Sequence, residues 1–361
     1  MIASEEYKKD LIKIAKKLER SSQSYPKDEK GEPTETYLEY LSLMYEPKIA
    51  TLVQHLPVFP KTMSIVKFAK MAGMDKDDLM DMLQDITERG FIIKLGRSYA
   101  QPMPLFVYDI PFILKKNIEH KDAKKFAVLS KKFFIEDQYY KTWQTSRKGE
   151  PRFRVLTVSE EIEHEKEIVP IEEVYKIIDK WDDFAIIPCP CRQRSEIEGI
   201  RECKDKYPIH NCTLLGPYAK AVLEMQDPDI KSATREEIKK LTMEASEIGL
   251  VHCTDNRAEN TTILCACCEC CCGMIGGLTR LDNPRSLARA NFISKVDEEL
   301  CVACSTCLER CKFNAISVEG VAHIDMDKCV GCGLCAVTCP NEAITMVRFK
   351  REKIPGEMES N

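Results

Sequence analysis

The sequence predicts an α+β chain of several domains. A helical N-terminal domain covers 1–144, a small α/β cysteine-rich domain covers 152–290, and a compact module organised by cysteine spacing covers 291–350. Three observations point there. The first 144 residues carry apolar side chains at helical spacing and no cysteine. From residue 170 short apolar runs alternate with helical patterns. All nineteen cysteines lie after residue 188, and eight of them form two tandem runs near the C-terminus. A chain of 361 residues is long enough for two or three such domains.

Within the first domain, residues 4–20 read as a charged amphipathic surface helix, and 21–33 as a polar linker bearing Pro and Gly. A helix follows through 36–56, then a short one at 64–73 and a longer one at 75–90. Leu79, Met82, Leu83 and Ile86 make one face of that longer helix, and Gly90 is placed to end it. Residues 91–102 read as a small hairpin. This order resembles a winged-helix domain over about 50 residues, which would imply DNA binding. The helix in the recognition position argues otherwise. It carries Asp75, Asp77, Asp78, Asp81, Asp85 and Glu88 against Lys76 and Arg89, a surface that repels phosphate. A packing or protein-interaction module is the better expectation. Two further helices are expected in 104–143, the second with aromatics at 126, 133, 134, 139, 140 and 143 that suit a core or a subunit interface.

A second linker at 145–151 leads to a strand over 152–158. A helix opens near Pro170, a buried strand covers 184–188, and a helix covers 216–226. Thr234 and Glu237 form a capping box for the next helix, which Gly249 ends, and residues 261–264 make another short strand.

Bulk properties exclude several function classes. The formal charge of −5 gives no reason to expect nucleic acid or an anionic membrane as a partner. The N-terminus has no secretory pattern. The most apolar stretch, 104–114, contains Asp109 and Pro111 and is too short to span a membrane. The expectation is a soluble cytoplasmic protein. No phosphate-cradling glycine loop is present, so no nucleotide or flavin is indicated.

The cysteines carry the chemistry. The two runs are Cys301, Cys304, Cys307, Cys311 and Cys329, Cys332, Cys335, Cys339, the second followed by Pro340. This is the spacing of a pair of [4Fe-4S] clusters in which the fourth cysteine of each run ligates the other cube. One cluster is therefore expected on Cys301, Cys304, Cys307 and Cys339, and the second on Cys329, Cys332, Cys335 and Cys311. Gly331 and Gly333 let backbone amides approach the sulfides. Disulfides fit poorly, because the chain places Cys270, Cys271 and Cys272 side by side. Zinc would need paired four-ligand knuckles, which this double run does not form. Residues 297–347 resemble a bacterial two-[4Fe-4S] (dicluster) ferredoxin, with Lys312 where that family usually has proline. The resemblance implies electron transfer, and a cation at 312 would raise the potential of the second cluster.

Eleven cysteines lie upstream. Cys189 and Cys191 follow the strand at 184–188, Cys203 and Cys212 come next, and Cys265, Cys267, Cys268, Cys270, Cys271 and Cys272 follow the strand at 261–264. If those strands share a sheet, both segments face one crevice. One or two further iron–sulfur clusters are expected. A first set is Cys189, Cys191, Cys203 and Cys212, and the 265–272 segment supplies a second or completes a mixed site. Cys253 fits an inert buried thiol. His210 and His252 could replace a thiolate, though a surface or hydrogen-bonding role suits each better.

The Cys-Cys-Gly at 271–273 resembles the cysteine-rich subunits of heterodisulfide reductases over three residues, without their second copy. The overall layout resembles ferredoxin-type oxidoreductase components of strict anaerobes. The function expected is a relay of low-potential electrons to a redox partner protein or oxidoreductase complex, with a second copy of the chain as a further candidate partner. Two alternatives stand beside it: an enzyme reducing a substrate at the upstream cysteines, and a redox-sensing regulator.

Overall fold

A computed structural model of the chain describes residues 2, 4–19, 24–146, 148–158, 173–257, 260–349 and 351. Residues 21–23 of the expected first linker, residue 147 of the second and Pro170 at an expected helix start lie outside the described residues. The chain divides into two compact units, one of Met1–Arg147 with Gln193–Ile200, the other of Lys148–Arg192 with Arg201–Ser360.

The first unit is mostly helical. Helix Glu5–Leu18 is capped by Ser4 and buries Leu11, Ile14 and Leu18. The expected helix through 36–56 is two helices, Glu35–Met44 and Pro47–Val53, because Glu46 precedes a proline and is held extended (ψ 160°). Strand β1 (Met63–Ser64), helix Ile65–Ala72, a left-handed turn at Gly73 and helix Lys76–Glu88 lead into β2 (Ile93–Leu95) and β3 (Ser98–Ala100). The three strands pair antiparallel in the order β1-β3-β2. Leu79, Leu83 and Ile86 are buried as the periodicity requires, while Met82 stays exposed at the margin of that face.

The expected second helix of 104–143 breaks into Ala123–Ile135 and Tyr139–Gln144, with Gln138 left-handed between them (φ 53°). Its aromatics form core. Phe126, Phe133, Phe134, Tyr139 and Trp143 are buried; Phe126 and Phe133 meet Tyr40 edge-on, Phe133 and Tyr139 meet Tyr108 edge-on, Phe134 stacks on Tyr108 and Trp143 is tilted against it. Burying side chains of this size contributes roughly 1.5–3 kcal/mol each.

The second unit holds a six-stranded sheet: β4 (Phe153–Val155), β5 (Phe184–Pro188), β6 (His210–Leu215), β7 (Lys231–Ala233), β8 (Val251–Asp255) and β9 (Ile263–Cys267). Its order is β4-β8-β9-β6-β5-β7. Helices and strands alternate as expected of an α/β domain, but the pairings between these strands are antiparallel. This departs from the parallel sheet that alternation usually builds. Helix Arg235–Glu247 opens with the capping box of Thr234 and Glu237. It buries Ile238 with Leu156, Ile178, Phe184, Leu215 and Leu264 in one core cluster.

Two antiparallel two-stranded sheets complete this unit. One pairs β10 (Phe292–Val296) with β13 (Ile344–Arg348), and the other pairs β11 (Ile316–Glu319) with β12 (Val321–Ile324).

Candidate metal centres

The direction of the strands decides where the upstream cysteines go. β6 runs antiparallel to both β5 and β9, so β5 and β9 point the same way and their carboxyl ends reach one edge of the sheet. β6 and β8 begin at that edge. Cys189 and Cys191 leave the end of β5, Cys212 lies near the start of β6, Cys253 lies in β8 opposite Cys265, and Cys265 and Cys267 close β9. The two cysteine segments thus meet at one edge with a third strand between them. That strand brings Cys212.

Their thiols form a closed ring of neighbours. Cys189 lies beside Cys191 and Cys212, Cys212 beside Cys265, and Cys265 beside Cys267, each close enough to act on the other's proton. Cys267 neighbours Cys272, and Cys272 returns to Cys191. Cys253, wholly buried, lies beside Cys267. Arg192, wholly buried, lies among them. Its Nη1 donates to the Ala266 carbonyl (3.0 Å), while Nε and Nη2 have no hydrogen-bond partner. Burial works against its charge, but Cys189, Cys212, Cys268 and Cys267 around it outweigh burial and raise its pKa. A buried cation with free donors suits an anionic thiolate-bound centre.

A second group is separate. Cys203, Cys268, Cys270 and Cys271 have all four sulfurs within 4.8 Å of one another. This differs from the set of Cys189, Cys191, Cys203 and Cys212 expected from the sequence, since Cys203 goes elsewhere. The alternation of side chains along a strand explains the sorting. β9 extends past the expected end at 264 to Cys267, so Cys265 and Cys267 face the ring while Leu264, Ala266 and Cys268 face the other way. Reading Cys-Ala-Cys-Cys as strand would have found this.

The C-terminal module has two partly open cavities. The first is lined by Cys301, Cys304, Cys307 and Cys339, the second by Cys311, Cys329, Cys332 and Cys335. Amides of Ala322 and Ala315 donate to the sulfurs of Cys301 (3.4 Å) and Cys311 (3.3 Å), and Ser294 Oγ lies 3.0 Å from Cys335 Sγ. Burial pushes the Cys332 and Cys335 thiols up, Cys335 to about 12, so it is cluster iron that would hold them as thiolates.

Gly331 and Gly333 both have positive φ (77° and 81°), and a Cβ on Gly333 would lie 2.4 Å from the Val158 carbonyl oxygen. The glycines let this loop lie against the 157–158 backbone, where the Val158 amide donates to Cys332 O (3.1 Å) and Thr157 Oγ1 to Gly331 O (2.8 Å).

Three sequence expectations resolve here. His252 is buried and hydrogen-bonded to Ser246 and the Thr242 carbonyl, and His210 is exposed. Lys312 is partly buried and pairs with Glu269 at 3.0 Å. Burial lowers its pKa, yet the bond to Glu269 prevails and the net shift is upward. Glu269 thus sets a carboxylate beside the cation expected to act on the second cluster.

Residues 294–346 match the family model of the 4Fe-4S dicluster domain. No curated protein and no solved structure matches the chain. The module therefore holds two [4Fe-4S] clusters, and the upstream thiols, the tight quartet included, support iron–sulfur centres beyond it. Among the described residues no helix is long and apolar enough to cross a membrane.

Proposed function

We propose that this iron–sulfur electron-transfer protein serves as an oxidoreductase subunit, relaying low-potential electrons in anaerobic metabolism. In this reading Cys301, Cys304, Cys307 and Cys339 hold one cluster and Cys311, Cys329, Cys332 and Cys335 the other. The carrying observation is the pair of cavities, each lined by three cysteines of one run and the fourth of the other. Crossed ligation keeps two clusters close, as electron transfer between them requires. The cysteine-rich domain, 152–290, passes electrons on through its own centre. Residues 1–144 form a winged-helix-like interaction domain, which the order β1, helix, turn, helix, β2, β3 supports. It docks a redox partner or a second copy of the chain.

The test is electron paramagnetic resonance of the anaerobically purified protein, reduced stepwise. Full reduction should give the broadened spectrum of two magnetically interacting [4Fe-4S]⁺ clusters. Two isolated signals without interaction, or no reducible cluster, would sink the relay.

A second reading, an enzyme that reduces a substrate at the upstream edge, is favoured by Arg192. Its unpartnered donors among the ring thiols could also bind an anionic substrate group. Spectral change of the oxidised protein on adding substrate would support it.

A further inference from the structure

We infer that Cys203, Cys268, Cys270 and Cys271 form a mononuclear site that binds one divalent ion, zinc or ferrous iron, in tetrahedral thiolate coordination. This inference rests on the reading that the upstream thiols bind metal, and it separates one of their centres from the clusters.

The sulfur spacing carries the argument. Cys203 lies 4.0 Å from Cys268 and 3.8 Å from Cys271, and Cys270 lies 3.6 Å from Cys271. A tetrahedral ion with metal–sulfur bonds of about 2.3 Å sets its four sulfurs about 3.8 Å apart. These three pairs already stand near that spacing, and the remaining pairs lie within 4.8 Å. A cubane is larger, because four irons and four sulfides must fit between its thiolates. The same chain shows the contrast: among the described residues only the quartet has all its sulfurs within 4.8 Å of one another, and neither dicluster set does.

The surroundings suit such an ion. Binding M²⁺ releases four thiol protons and leaves a centre of charge −2. Arg201 lies close enough to Cys203, and Arg192 to Cys268, to act on the charge of each. Arg280 donates to the carbonyls of Glu269 and Cys270, fixing the loop that supplies three of the ligands. Tyr207, Ala245, Leu250 and Ala266 pack against Cys203 and Cys268 and limit solvent there. Tetrahedral S₄ donor sets select zinc or iron.

The experiment compares metal and acid-labile sulfide per chain in the full-length protein, Cys203→Ser and Cys270→Ser, all purified anaerobically. Each variant should lose one equivalent of zinc or iron with sulfide unchanged. Loss of about four irons together with four sulfides would overturn the inference and leave the metal-binding reading standing. Folded variants with unchanged metal content would overturn both at this site. Should the variants fail to fold, the wild-type protein decides. It should show four sulfurs at about 2.3 Å in the zinc absorption edge, or the Mössbauer doublet of an isolated ferrous thiolate ion. Absence of both would overturn the inference.

Discussion

Cys311 is the C-cap of helix Thr306–Arg310, and its extended backbone (φ −76°, ψ 108°) carries it away from the loop of its own run. It lines the cavity of Cys329, Cys332 and Cys335. Cys311→Ser should therefore damage that cluster and leave the one at 301–307 reducible. Iron, sulfide and resonance spectra would check this, and loss of the 301–307 cluster would reverse the assignment. His252 gives a pH prediction of a different kind. Burial holds it down to about 4, below its ordinary 6.5. An unfolded chain would take up that proton first as pH falls. Stability is thus complete above about 6.5 and is lost as pH falls toward 4, by roughly 3 kcal/mol. Denaturant titrations between those limits should show a shallower pH slope for His252→Gln than for the wild type.

At the level of elements, the helix Arg235–Glu247 depends on its first turn. Thr234 Oγ1 accepts from the Glu237 amide, and Glu237 accepts from the Thr234 amide. Thr234→Ala should cost about 1 kcal/mol, read as a lowered unfolding midpoint with unchanged slope. This cap was legible from four residues, as were Gly90, the strand at 184–188 and the two cysteine runs, because each rests on local chemistry. What the sequence hid was non-local. The split at Pro47 could be read, but the break at Gln138 comes from a residue with no special liking for left-handed backbone. The antiparallel sheet order cannot be deduced from alternating elements. Nor can the transfer of Cys203 to Cys268, Cys270 and Cys271: strand alternation separates Cys265 and Cys267 from Cys268, but nothing local says where the segment carrying Cys203 packs.

For the molecule as a whole, charge sets what it can meet. The chain carries a net −5, and helix Lys76–Glu88, in the position a DNA reader would use, begins with Asp77 and Asp78 in its first turn. Anisotropy titrations of the full chain with duplex DNA should show no binding at micromolar concentration. Salt-sensitive binding in that range would revive the regulator reading.

The ladder of β5, β6, β9 and β8 has one more consequence, which concerns maturation. Cys212, Cys253, Cys265 and Cys267 stand on strands whose positions are set by main-chain pairing and by the core beneath them, so that part of the fold does not wait for metal. The dicluster runs are different. Apart from Cys307 and Cys335, on short helices, their cysteines sit on loops, and metal binding contributes order to such loops. Assembly then has a natural sequence in which the sheet forms first and presents its thiols, and the terminal module sets last. A cell short of iron would hold a chain with a finished sheet and an unfinished relay, ready to be completed without being refolded.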